Sequence, residues 1–532
     1  MTIKTKPAKI AIIGIVILSL FYLTISLIYK PIVSNDAVNG MLSLNNYLNG
    51  DQWNKTLSLS KDATHIYSSE LTWWAPGQYE LPYLFSKLLS IDLGSALALL
   101  IFASVVGGCF FYYKVFKLSL IEHKIVLAAL VILLCQRFVN IYFIQYNSSD
   151  IFLFFLTPFY IYCYQRILNQ HRGWLGLKLL ILIAINIIGV FIKSSFILFE
   201  LAVNIFLVVE YFVQRRIASE KNDPNESKIS LLKTVLLIIP FALANVLNYW
   251  FFLRRGENPT LSPGLLLSLS NILKGVFVPV VQILFSSLSI NSIYGNFYDK
   301  IILRDMACDL IMVAVLVFVG YIIYRYRTMI WDELKRNLFS RFTAVVAVMY
   351  VLFWFTFTIK QSYISNEDRL YLPVAILVLP YLLRFSLNSS RLIKYFYFTA
   401  IGISIIYGGY TFAYRIKKYA INGSVPSKSQ KLNGFRVYST NEKLEDLNKI
   451  ADTISMKYPN DYILINDPDL AFKLNVPNKF IVATSSAPKR QVNSSKKANY
   501  LVLGSPGKNI IPPQSKLKKI YAVDEFVLYR SY

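Results

Sequence analysis

The 532-residue chain is 55% hydrophobic and 15% aromatic, with only 16% charged residues and a mean hydropathy of +0.46. This balance excludes a disordered chain, a collagen-like repeat and a small disulfide scaffold. The net charge of +25 would point to nucleic acid in a soluble protein. Here Lys and Arg lie between long apolar runs, so anionic lipid and the positive-inside rule account for them, and no nucleic-acid partner is expected.

Lys4, Lys6 and Lys9 precede an apolar run from Ile10 to Tyr29. The run is too long for the core of a signal peptide and no small-residue cleavage site follows, so it reads as a first span with a cytoplasmic N-terminus. A large outer loop, 30–92, comes next. Further spans are expected near 93–114, 124–144, 151–166, 174–192, 194–213, 229–252, 306–325, 341–359, 370–386 and 392–412, about eleven in all. Lys114, Lys117, Lys124, Arg166, Arg172, the Arg215–Lys233 segment and the Arg325–Arg341 segment then fall on the inner side. Leu265–Leu288 is apolar enough for a twelfth span but would move that last basic segment outside. It is therefore read as a helix lying in the outer interface or re-entering the membrane.

The fold class expected is an α-helical polytopic membrane protein, 1–414, with a small extracytoplasmic α/β domain, 415–532. That tail carries 20 Lys/Arg against 9 Asp/Glu. Within it, Ser439-Thr440-Asn441-Glu442 forms a capping box opening a helix to about Lys457. Strands are expected at Tyr462–Asn466, Phe480–Thr484 and Tyr500–Gly504, with a last strand or hairpin at Ile520–Tyr529. Segments 422–434 and 486–498 read as linker and loop. Cys109, Cys135, Cys163 and Cys308 fall in or beside apolar runs and read as buried thiols, while His65, His123 and His171 are too scattered for a metal site.

Ionisable groups at span ends carry the functional information, because burying them in hydrocarbon is costly. Asn35-Asp36 follows the first span and leads through a short helix into Gly50-Asp51-Gln52-Trp53. Trp73-Trp74-Ala75-Pro76-Gly77-Gln78-Tyr79-Glu80-Leu81-Pro82 precedes the second span, and Asn366-Glu367-Asp368-Arg369-Leu370-Tyr371-Leu372-Pro373 opens a late one. In order and in their common side of the membrane, these segments resemble the GT-C superfamily of polytopic glycosyltransferases, such as protein O-mannosyltransferases and aminoarabinose lipid A transferases. The resemblance runs the length of the chain. It implies an inverting transfer of a sugar from a polyprenyl-phosphate donor to a lipid, glycan or protein acceptor at the outer membrane face.

Asp36 is the position matching the family's general base, although many relatives carry Asp-Glu where this chain has Asn35-Asp36. A hydroxyl is a poor nucleophile, and a positioned base is worth about 10²–10⁴-fold in rate. Asp150, in Asn147-Ser148-Ser149-Asp150, matches a second carboxylate that orients the acceptor or an ion; locally it also suits the positive end of the next helix. Arg369 is expected to clamp the donor phosphate, with Lys193, Arg254 and Arg255 as further cations that equally suit lipid headgroups. Glu80 and Trp74 are expected to contact sugar, Glu80 also reading as a solvated loop carboxylate and Trp74 as an interfacial anchor. No cofactor signature is present, and the two carboxylates permit but do not demand a divalent cation such as Mg or Mn. An O-antigen-type polymerase or ligase is an alternative, though its large loop lies late in the chain. A transporter is another, but repeated halves are missing and only Lys178, Glu200, Glu210 and Asp309 approach the membrane interior.

Overall fold

The computed structural model of the chain describes residues 6–34, 36–59, 65–71, 75–117, 121–169, 175–220, 231–251, 269–290, 304–361, 368–439, 444–465, 467–482, 495–497, 499–504, 517–523 and 526–531. All eleven segments expected as spans are helical. They are α1 (Lys6–Tyr29), α4 (Leu93–Phe116), α5 (His123–Cys135) continued by α6 (Arg137–Asn140), α7 (Asp150–Asn169), α8 (Leu175–Ile192), α9 (Phe196–Glu220), α10 (Leu231–Phe251), α12 (Arg304–Arg325), α14 (Leu338–Gln361), α15 (Asp368–Leu387) and α16 (Arg391–Arg415). Shorter helices intervene: α2 (Asp36–Leu48), α3 (Gly77–Leu89), α11 (Leu269–Ser287) and α13 (Arg327–Arg336).

The protein is a multi-pass helical membrane protein, and the expected count of eleven spans is matched in part. Among the described residues seven helices are by themselves long and apolar enough to cross a membrane, or nine if two bent pairs each make one span. The bends are 59° between α5 and the α6 segment and 68° between α12 and α13. The two segments that fall short have physical reasons. The second half of α7 carries Tyr160, Tyr162, Tyr164, Gln165 and Arg166, and the apolar part of α8, Gly176–Ile192, is short. In α11 the apolar part, Gly275–Ser287, is also short; the helix packs along α14 and α15. At its end the Ser287 carbonyl accepts from Gln136 Nε2 (3.1 Å) at the α5–α6 break.

Two acidic residues noted near the membrane interior are held by neighbours. Arg341 grips Glu210 with both arms of its fork, Nε to Oε2 at 2.7 Å and Nη2 to Oε1 at 2.6 Å. Glu200, fully buried, accepts from Asn245 Nδ2 at 3.1 Å. Such bidentate or amide contacts are what a buried carboxylate needs in place of water. Cys109, Cys135 and Cys163 are free thiols; the side chain of Cys308 and all of His171 lie outside the described residues.

The β-structure gathers at one end of the bundle. The C-terminal part holds a five-stranded sheet in the order β11-β12-β10-β7-β8, made of β7 (Tyr462–Ile465), β8 (Phe480–Val482), β10 (Tyr500–Gly504), β11 (Leu517–Val523) and β12 (Phe526–Ser531). The last two form the expected hairpin, and α17 (Leu444–Lys457) ends where the sequence placed it; residues 440–442 of its capping box, like Asn466 and Thr484, lie outside the described residues. Strand β8 follows β7 in parallel after the short α18 (Pro468–Lys473).

Two segments expected as linker and loop are partly strand. Within 422–434, β5 (Ser424–Pro426) pairs antiparallel with β6 (Arg436–Tyr438). Within 486–498, β9 (Ser495–Lys497) pairs with β3 (His65–Glu70), itself in a hairpin with β2 (Lys55–Leu59). Polar composition hid them, because what makes these residues strands is a partner edge far away in the chain. The same long-range logic fixes α2 to the tail. Asn46 imitates a strand's backbone, donating from Nδ2 to the Phe480 carbonyl and accepting from Phe480 N–H, each at 2.8 Å.

Candidate functional site

The site begins with a four-stranded sheet too short for the sequence to announce. β1 (Ile32–Val33), straight after α1, runs parallel to β4 (Gln145–Tyr146), with β6 on its other side. Ile32 N–H donates to the Ile144 carbonyl at 2.8 Å and Ser34 N–H to the Tyr146 carbonyl at 3.1 Å. Each of the paired strands then turns into a helix whose first residue is acidic: α2 opens at Asp36 and α7 at Asp150. The two turns are laced together. Ala37 N–H donates to the Asn147 carbonyl at 3.0 Å, Ser34 Oγ to Asn147 Oδ1 at 2.6 Å, and Gln145 Nε2 to Ser34 Oγ at 3.0 Å. Both carboxylates thus sit at helix N-termini, where the helix dipole favours negative charge, and on adjacent strand ends.

Their surroundings differ. Asp36 is half-buried, whereas Asp150 is only 1% exposed. Lys193 answers the buried charge: its Nζ lies 3.1 Å from Asp150 Oδ1 and 3.2 Å from Oδ2. Ser148 Oγ also donates to Asp150 Oδ2. The lysine directly follows α8, at the negative end of that helix, and Ser149 Oγ ties the same turn by donating to the Ile192 carbonyl at 2.6 Å. Asp150 and Lys193, expected to act separately on acceptor and donor, are one ion pair in the structure.

Helix α3 wedges into this junction. Tyr146 Oη donates to the Gln78 carbonyl at 2.7 Å. Gly40 of α2 lies under the Tyr79 ring, where an added Cβ would come within 2.5 Å of Cδ1, so a side chain there would push α2 and α3 apart. Tyr79 Oη in turn donates to Asn54 Oδ1. In the first turn of α3, Glu80 is buried rather than solvated, and accepts from Trp53 Nε1 at 2.7 Å. Trp53, part of the quoted sequence segment, had no expected partner; nothing local marks one 27 residues away.

Burial pushes the Glu80 carboxyl above its usual 4.5, with the Trp53 hydrogen bond opposing. A carboxyl raised in the folded state favours folding at acidic pH, and that contribution is lost as pH rises through the raised value. Glu80→Gln keeps an acceptor for Trp53 and removes the loss. At neutral pH it should gain on the order of 1 kcal/mol in stability, the usual scale of a stabilising substitution. Thermal unfolding followed across pH should show the gain vanish in acid.

Of the residues singled out in the sequence, Asp36, Glu80, Asp150 and Lys193 meet at this junction. Trp73, Trp74, Arg254 and Arg255 lie outside the described residues. Arg369 falls in the first turn of α15, and its side chain is likewise outside them. His65 is in β3, paired through its backbone with Lys497. Among the described residues no three His, Cys, Asp or Glu side chains gather as a metal site. Asp150 is already engaged by Lys193 and Ser148.

No family model and no curated protein sequence matches the chain. Two solved structures are similar to it over 98% of its length and 97% of theirs. One is ArnT from Cupriavidus metallidurans bound to undecaprenyl phosphate, at 11% identity and a TM-score of 0.48. The other is ArnT from the same organism in the apo state, at 12% identity and a TM-score of 0.42.

Proposed function

We propose that this chain is a membrane glycosyltransferase that moves a sugar from a polyprenyl-phosphate donor to a hydroxyl of a lipid, glycan or protein acceptor. The reaction takes place on the membrane face that carries the C-terminal α/β domain, read as the outer face. The observation that carries the reading is the paired strand–helix junction, which sets a half-buried Asp36 beside a second, neutralised carboxylate at one end of an apolar helical bundle. The motif order in the sequence supports the donor class.

In this reading the acceptor oxygen attacks the anomeric carbon from the side opposite the phosphate and hands its proton to the Asp36 carboxylate. The bond from that carbon to the phosphate oxygen breaks, its electron pair leaves on the polyprenyl phosphate, and the anomeric configuration inverts. Asp36 then returns the proton to water. A base within hydrogen-bond reach and fixed cations around the leaving phosphate are the two things such a transfer requires. Arg369 and Arg255 are the cations proposed for the phosphate. Lys193 serves instead to keep Asp150 ionised and in place, from where its carboxylate can orient the acceptor. Glu80 and Trp74 are the proposed sugar contacts. No step calls on a metal ion, and chelation with EDTA should leave turnover unchanged to within about twofold, Asp150 being already engaged by Lys193 and Ser148.

The test is purified protein in lipid with a panel of labelled polyprenyl-phosphate sugars and crude membrane acceptors, read as released polyprenyl phosphate. Release by the wild type and its loss in Asp36→Asn support the proposal. Consumption of no donor, with or without Mg²⁺ or Mn²⁺, overturns it and turns attention to a flipping or polymerisation assay.

A further inference from the structure

A second cationic cluster lies behind the junction, and the proposed transfer does not use it. The α5–α6 break brings Arg137 against α16: a Cβ on Gly408 would come within 2.3 Å of the Cys135 carbonyl oxygen and 3.1 Å of Arg137 N, so only glycine permits the approach. Asn140 Nδ2 closes the contact by donating to the Gly408 carbonyl at 3.2 Å. Arg415, two turns further along α16, lies on the same face, about 10 Å along the axis. The two arginines stand near enough for their like charges to interact.

Tyrosines complete the cluster. The Arg415 guanidinium carbon is 5.6 Å from the centre of the Tyr419 ring, which packs edge-on against Tyr438 at 5.2 Å. Tyr438, on β6, places its hydroxyl beside that of Ser34. Arg137 is half-buried, and its Nε is fully buried with no hydrogen-bond partner. Among the described residues no carboxylate pairs with either arginine. Two neighbouring guanidinium groups, partly out of water and with no carboxylate paired to them among the described residues, are costly unless an anion joins them. Arg forks match the tetrahedral oxygens of phosphate bidentately. The outward neighbours on α16, Ile406, Tyr410 and Tyr414, are exposed and apolar or aromatic, as expected for a helix end at a lipid interface.

We propose that Arg137 and Arg415, with the Tyr438 hydroxyl, bind the phosphate group of a membrane lipid. The bound phosphate bridges α6, α16 and β6. Because β6 is the parallel neighbour of β1, which leads into Asp36, the lipid braces the strand that positions the proposed base. The site itself does not depend on the transfer reading, since it rests on charge and packing alone. The same chemistry is offered by an ordinary phospholipid headgroup and by a polyprenyl monophosphate.

The full chain is reconstituted in nanodiscs of a phosphate-free glycolipid, to which either phosphatidylglycerol or a polyprenyl monophosphate is added. Phenylglyoxal modification of individual arginines is then followed by mass spectrometry. Both Arg137 and Arg415 should be protected at least about tenfold, as expected of charge-assisted contacts, while Arg391, at the far end of α16, should not change. Protection by both probes assigns a general headgroup site; protection by the polyprenyl monophosphate alone assigns a carrier site. Equal modification rates with and without both probes would overturn the proposal. In parallel, native mass spectrometry should show retained phospholipid lost in the Arg137→Gln/Arg415→Gln variant and kept in Arg137→Lys/Arg415→Lys. Retention by the Gln pair equal to wild type counts against the site even if that variant is less stable.

Discussion

Lys193→Met is expected to destabilise the protein by about 3–5 kcal/mol, the usual consequence of removing one partner from a buried ion pair. The reason lies in the asymmetry of the pair: the lysine side chain is 18% exposed and the aspartate 2%. With the ammonium gone, Asp150 retains the Ser148 hydroxyl but loses both contacts to a full positive charge. A charge in so dry a position must then be neutralised or the junction must open. Asp150→Asn in the same chain should recover most of the loss, because an amide beside a methionine leaves no uncompensated charge. Thermal unfolding of the two single variants and the double variant forms the cycle. If the losses simply add, the two residues are not a pair in the folded protein. Toward acidic pH the deficit of Lys193→Met should shrink, since a proton can take the place of the missing ammonium.

Asp36→Asn should leave the fold intact and abolish most of the chemistry. Asparagine serves as well as aspartate at a helix start, so stability should change by less than about 1 kcal/mol. Release of polyprenyl phosphate should fall by about 10²–10⁴-fold, the contribution of a positioned general base. The loss should appear in kcat with little change in KM, because the proton is taken only as the new bond forms. A variant that loses activity through the fold would instead show an altered unfolding temperature. Activity within about threefold of wild type would remove Asp36 from the role of base and make Asp150 the residue to test.

Much of this molecule could be read locally. The apolar runs announced the helices because a span requires a fixed length of apolar residues, which one stretch of chain supplies by itself. The β7, β8, β10 and β11–β12 strands were equally visible in their β-branched and aromatic runs. Asp36 and Asp150 stood out as acidic residues at span ends, and the structure brings them onto neighbouring strand ends. Less was visible wherever the stabilising partner is remote. β1 and β4 are two residues each, too short for any periodicity, yet they determine where both carboxylates sit. β5 and β9 looked like linker because their hydrogen bonds are supplied by β6 and β3.

By itself the sequence determined that this is a helical membrane protein with a strand-rich C-terminal part, and that acidic and basic residues collect at the ends of its spans. Those are properties of composition and of local periodicity, and they survive any rearrangement of the helices. Only the tertiary structure decided which charge answers which. Lys193 neutralises Asp150 across 43 residues, and Ser34 bonds Asn147 across 113. Glu80 turns from a presumed solvated carboxylate into a buried acceptor for Trp53, and Arg137 comes near Arg415 with no carboxylate paired to either among the described residues. The energy of a charge depends on its distance to other charges and on the water excluded around it, and packing sets both.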